Sequence, residues 1–162
     1  MTTTDIASRI AKEISLVGPA GRSPIAPGSV GALFAIPLAW WLAPHPLALR
    51  LFVTCALIVV SFPMVTRYLR SSGGHDPQEI VVDELVGCLI PLVVFPFSWV
   101  WVTAGYVAFR FFDIVKPWPI RLFERSTKGA LSIIGDDVLA GIAATLLLFV
   151  LQFVAFALAL RV

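Results

Sequence analysis

His75-Asp76-Pro77-Gln78-Glu79-Ile80-Val81-Val82-Asp83-Glu84-Leu85-Val86-Gly87 places four carboxylates within one short stretch of an otherwise apolar chain. Read as a helix start, Asp76 is the N-cap, Pro77 takes the first helical position and Glu79 closes a D-x-x-E capping box. Asp83 follows Glu79 by four residues and Asp76 by seven. The three are therefore expected on one helical face, with Glu84 about 100° around from Asp83. Capping accounts for the first two acids but leaves Asp83 and Glu84 without a reason. A hydrophobic run begins at Leu85, so this pair stands where a helix enters an apolar medium. Carboxylates in that position need a cation, a basic partner or water.

The medium follows from composition. Of the 162 residues, 59% are hydrophobic and only 14% charged, and the mean hydropathy is +0.92. Such a chain is too apolar for a soluble domain and reads as a polytopic helical membrane protein. A net charge of +2, with bases scattered among acids, argues against nucleic-acid binding. A phosphate or a lipid headgroup is the expected anionic partner. Cys55 and Cys88 lie in apolar segments without metal-binding spacing and read as buried packing residues.

Residues 4 to 17 space Ile6, Ile10 and Ile14 four apart, with Arg9, Lys12 and Glu13 on other faces. This suits a helix lying on the bilayer surface, although a terminal helix packed on its neighbours would have the same pattern. The Gly/Pro loop from Gly18 to Gly31 then runs into an apolar segment. Its glycines would let backbone N–H groups approach an anion, and Ser29 would add a hydroxyl; a plain connecting segment has the same composition. Val30 to Ala43 is a short apolar stretch ending at Trp40 and Trp41, and Leu47 to Val65 is a second one.

Leu85 to Phe109 is read as a hairpin of two short helices turning around Phe95-Pro96-Phe97-Ser98-Trp99, where proline breaks the helix and aromatic residues favour an interface. With that turn the chain crosses five times, and every acid shares the side of the N-terminus. The bases do too, except Arg50 and Arg161. The positive-inside rule places that side in the cytoplasm. The expected architecture is all-α, with an N-terminal interfacial helix and about four to five short membrane helices. It forms a single membrane-embedded domain over 1–162, with the interfacial helix and loop in 1–29 and the membrane helices in 30–162.

Arg110, Asp113 and Lys116 recur every three residues and should share a face of a helix that stops before Pro117. Asp113 either pairs with both bases, or orients them on a phosphate or holds a metal. Arg121, Glu124, Arg125 and Lys128 read as a solvated loop. Gly135-Asp136-Asp137 opens the last apolar stretch, and either Asp would cap its helix. Asp137, Ala140, Gly141 and Ala144 form a stripe of small residues that would admit a close neighbour, as Gly87 would beside Asp83. Two such helix starts suit a divalent cation held between them.

Carboxylates without histidine or thiolate pairs favour hard cations, and adding arginine and lysine favours a phosphate ester. Signatures of covalent phosphatases are missing, which leaves metal-assisted attack by water, with a carboxylate taking the proton. A divalent-cation transporter would also carry acids near helix starts, but along a path to the bilayer midplane rather than beside bases at one face.

Four motifs in order closely resemble the phosphatidylglycerophosphatase A family. They are Ser23-Pro24-Ile25-Ala26-Pro27-Gly28-Ser29-Val30-Gly31; His75-Asp76 to Asp83-Glu84 with Gly87; Phe109-Arg110 to Asp113 with Lys116-Pro117-Trp118-Pro119-Ile120; and Asp136-Asp137 with Ala140-Gly141. The likeness covers about residues 15 to 145. It implies a Mg²⁺-dependent phosphatase of the bacterial inner membrane that converts phosphatidylglycerophosphate to phosphatidylglycerol; the enzymatic alternative that headgroup motifs leave open is a related phosphatase acting on another lipid or isoprenoid phosphate. Residue chemistry and resemblance together nominate Asp83, Glu84, Asp136 and Asp137 as metal ligands and Asp76, Asp83 and Asp137 as catalytic, Asp76 as ligand or base. Arg110 and Lys116, with Ser29 and the amides of Gly28 and Gly31, would bind the phosphate. Three positions depart from the family pattern: Ser29 for threonine, Ala32 for serine and Gly135 for an apolar residue.

Overall fold

Val82–Val94, the short helix that carries Asp83 and Glu84, joins two apolar clusters. Cys88, Leu89, Leu92 and Val93 belong to one cluster, and Val82 and Val86 to the other. A helix buried nearly all round is the centre of its bundle rather than a surface element. The structure is a computed structural model that describes residues 3–72 and 78–159, and all regular elements among them are helical. In chain order they are α1 (Thr3–Ser15), a 3₁₀ turn (Ala20–Arg22), α2 (Pro27–Leu33), α3 (Ala35–Leu42), α4 (Leu47–Ser71), α5 (Val82–Val94), α6 (Trp99–Val115), α7 (Ile120–Ser126) and α8 (Ala130–Ala159).

The all-helical architecture and the α5–α6 hairpin agree with the sequence reading. Ser98 caps α6 by accepting from the Trp101 N–H, and Phe95 stacks on Trp101 across the turn. The apolar stretch after the Gly/Pro loop divides at Phe34 into α2 and α3. α4 and α8 are long and apolar enough to cross a bilayer. Large apolar side chains remain exposed along both, among them Phe52, Val59, Phe153 and Phe156. α6 has 17 residues, which amounts to roughly 25 Å of helix, close to a hydrocarbon core. α1 buries Ala11 and Ser15, with Leu16 buried just past its end, and turns Ile6, Ile10 and Ile14 outward, so its apolar stripe faces away from the protein.

Several sequence expectations need correction. α5 starts at Val82, with Val81 as N-cap and no side-chain cap, so Glu79 closes no capping box; Asp76 and Pro77 lie outside the described residues. The cause is tertiary. The Val81 N–H donates to the Ser15 carbonyl at 3.0 Å, the Tyr68 hydroxyl donates to Glu79 Oε2 at 3.3 Å, and the Glu79 carbonyl lies over Gly21. These ties hold residues 79 to 81 against α4 and the loop after α1, delaying the helix and fixing where Asp83 emerges. α8 likewise begins at Ala130, after Gly129 at φ +63°. Asp136 and Asp137 are therefore inside the helix and do not cap it. Arg121, Glu124 and Arg125 lie on α7 rather than in a loop. Cys88 is buried as expected, whereas Cys55 is exposed on α4.

Candidate active site

Four helix ends and α7 converge on one cavity of about 390 Å³. α2 contributes Gly28 and α5 contributes Asp83 and Glu84 in its first turn. The end of α6 supplies Arg110, Asp113 and Lys116, α7 supplies Glu124, and the first turns of α8 supply Ser132, Asp136 and Asp137. Asp83 and Glu84 sit where the helix dipole favours negative charge.

Close approach of two backbones brings the acids together. A Cβ on Gly87 would stand 2.6 Å from the Asp137 carbonyl oxygen, and one on Gly141 would collide with the Gly87 carbonyl. With glycine at both positions α5 and α8 pack in direct backbone contact. The first turn of α5 then faces Asp137, and one oxygen each from Asp83, Glu84 and Asp137 lie within 4.8 Å of one another. Asp83 and Asp137 are buried. Asp83 Oδ1, Glu84 Oε2, Asp136 Oδ1 and Asp137 Oδ2 are buried without a hydrogen-bond partner among the described residues. Buried carboxylate oxygens need compensation, and an oxygen-only set of this kind fits a hard divalent cation.

Arg110 and Asp113 share a face of α6 as expected, and Arg110 Nη1 donates to Asp113 Oδ2. Arg110 Nε is buried with no partner among the described residues. Lys116 leaves that face. It takes the left-handed C-cap position at φ 44°, which turns its ammonium toward α7 and α8. Lys116 Nζ donates to Asp136 Oδ2 and, at 2.6 Å, to Glu124 Oε1. Burial works against its charge, but the hydrogen bonds to Asp136 and Glu124 outweigh burial and raise its pKa, so the ammonium is kept at neutral pH. Asp113 thus partners one base rather than both.

The loop residues divide. Gly28 lines the cavity, where a Cβ would strike the Glu84 carboxylate. Ser29 lies outside the lining, and its carbonyl accepts from the Tyr106 hydroxyl at 3.2 Å. Gly31 is pressed against Val81, where a Cβ would stand 2.6 Å from the valine Cβ. Ala32 is wholly enclosed by the core, and Gly135 makes room for the Phe123 ring of α7. Sequence reasoning missed Glu124; its one legible sign is a lone acid four residues from Lys128 and eight from both Lys116 and Ser132.

The family model described as phosphatidylglycerophosphatase A matches residues 14–152. A phosphatidylglycerophosphatase A of Escherichia coli K12 is 38% identical over 130 residues, 80% of this chain and 76% of the relative. One from Haemophilus influenzae Rd is 35% identical over 154 residues, 88% and 94% of the two chains. A Bacteroides thetaiotaomicron protein, provisionally named a phosphatidylinositol-3-phosphatase, is 41% identical over 143 residues, 83% and 88%. No solved structure matches the chain significantly. A cavity of converging carboxylates flanked by an arginine and a lysine, a helical fold with two membrane-length helices, and a family match that spans all four motifs lead to one conclusion: the chain belongs to the phosphatidylglycerophosphatase A family.

Proposed function

We propose that this protein is a Mg²⁺-dependent phosphatidylglycerophosphatase, which releases the terminal phosphate of phosphatidylglycerophosphate to leave phosphatidylglycerol. The observation that carries the reading is the grouping of Asp83, Glu84 and Asp137, with unpartnered buried oxygens, in the same cavity as Arg110. Those three residues would hold Mg²⁺. A bound Mg²⁺ would polarise the phosphoryl group and lower the pKa of an attacking water.

The chain's own groups supply the rest. Arg110 directs donors at the phosphate, with Nε uncommitted. Lys116 has three N–H donors, and its contacts to Asp136 and Glu124 leave one for a phosphate oxygen. A cavity carboxylate accepts the water's proton. Asp76 stays a further candidate for ligand or base. Ser29 and Gly31 drop out of the phosphate contacts, because neither lines the cavity.

Placement follows from the ends of the helices. Arg67, Arg70, Arg110, Lys116, Arg121 and Arg125 lie at the cavity end of the helices, while Arg50 stands in the first turn of α4 at the other end. Trp40, Trp41 and Trp99 are exposed at that far end. The positive-inside rule supports a cavity at the cytoplasmic face of a bacterial inner membrane, with these tryptophans at the opposite interface. The acyl tails would stay in the bilayer, with α1 laid on its surface through Ile6, Ile10 and Ile14. A cation-transport path is not favoured, since α5 and α8 meet below the acids through Gly87, Leu89, Leu92, Ala140 and Ala144.

Phosphate release from a panel containing phosphatidylglycerophosphate, phosphatidylinositol 3-phosphate and an isoprenoid phosphate, with and without EDTA, tests the reading. Rapid release from phosphatidylglycerophosphate, lost with EDTA and restored by Mg²⁺, is the expected result. Preference for another lipid would replace the substrate, and release indifferent to chelation would remove the metal.

A further inference from the structure

The cavity lining is unbalanced in charge. Asp83, Glu84, Asp113, Glu124, Asp136 and Asp137 face Arg110 and Lys116, a formal charge of −4 when all are ionised. One divalent cation would leave half of that charge to oppose a phosphate monoester, which itself carries roughly −1.5 to −2 near neutral pH. A phosphatase cavity of this composition would repel its substrate with a single ion in place.

A second observation locates where further positive charge would go. Asp136 has a side chain only 5% exposed and lines the cavity beside the triad. Its Oδ2 is taken by Lys116, while its Oδ1 is buried with no partner among the described residues. Lys116 gives no relief, since its ammonium is already divided with Glu124. Asp136 follows directly before Asp137 on α8 and lines the same cavity, and it is not one of the three clustered acids.

Resting on the phosphatase reading above, we propose that the cavity takes two divalent cations, one on Asp83, Glu84 and Asp137 and a second on Asp136 that enters with the phosphate. Mg²⁺ commonly binds through only one or two carboxylates, with water and phosphate oxygens completing its shell. A single protein carboxylate is therefore a sufficient anchor when the substrate is present. Paired ions neutralise both the attacking and the leaving oxygen of a phosphoryl displacement, and here they would also cancel the charge of the walls. Asp136 then has two tasks: its Oδ2 holds Lys116 and its Oδ1 holds the second ion.

The test is a count made on the full-length protein in detergent, with Mn²⁺ as probe and inorganic phosphate present or absent. Equilibrium dialysis should give one tightly bound Mn²⁺ per chain without phosphate and two with it, the second accompanied by dipolar broadening of the Mn²⁺ resonance signal. Asp136→Asn should bind one ion under both conditions, with an unbroadened signal. One Mn²⁺ per wild-type chain at saturating phosphate overturns the second ion and leaves the phosphatase reading standing. No bound Mn²⁺ overturns both. Two ions in Asp136→Asn remove Asp136 from the site, and the wild-type count decides the number of ions even should that variant fail to fold.

Discussion

Gly87 on α5 and Asp137 on α8 lie so close that a Cβ on the glycine would stand 2.6 Å from the aspartate's carbonyl oxygen. The obstacle is backbone, which cannot rotate aside as a side chain can. Helix spacing and carboxylate geometry are therefore one property: whatever separates α5 from α8 also separates Asp83 from Asp137.

Gly87→Ala is expected to destabilise the fold by about 1–3 kcal/mol, as overpacking does, and to lower phosphate release more than tenfold. Thermal unfolding in detergent and a phosphate assay on the same preparation read both effects. Wild-type melting together with wild-type turnover would show that the helices need no such contact.

Gly28→Ala separates site geometry from stability. The added methyl meets the far end of the Glu84 side chain, which can swing away. Stability should change by less than about 0.5 kcal/mol, while the Mg²⁺ concentration needed for half-maximal activity rises several-fold. An unchanged Mg²⁺ requirement would take Glu84 out of the ligand set.

Glu124→Gln addresses the residue that lies on α7 rather than in a solvated loop. Its side chain is 39% exposed, so melting should hardly move. The change removes the negative charge that shares Lys116 with Asp136 and leaves only a neutral amide acceptor, and turnover should fall roughly tenfold through a misplaced ammonium. Glu124→Asp should recover part of that loss. Full activity in Glu124→Gln would return Glu124 to the ordinary surface.

The meeting of Asp83 with Asp137 was legible because small residues recur at helical spacing beside each acid, and that pattern is local. The α5–α6 hairpin was legible from Pro96 and its aromatic neighbours for the same reason. The start of α5 was not, because it depends on contacts to Ser15, Gly21 and Tyr68, remote in sequence from Val82. Lys116 was misplaced because a left-handed C-cap redirects a side chain that periodicity assigns to the face of Arg110. A cap at either Asp136 or Asp137 is what the apolar run beginning after them suggests, whereas α8 starts at Ala130 and packs on α7 through Gly135 and Phe123.

The most direct measurement is a double-mutant comparison of phosphate release from phosphatidylglycerophosphate by Asp83→Asn, Asp137→Asn and the two combined, each checked for intact folding. If both carboxylates hold one cation, each single change removes it. Each should cost on the order of 100-fold or more in rate, and the combination should cost little beyond that. Wild-type activity in either single variant, or two losses that multiply in the double, would contradict a site shared by these residues.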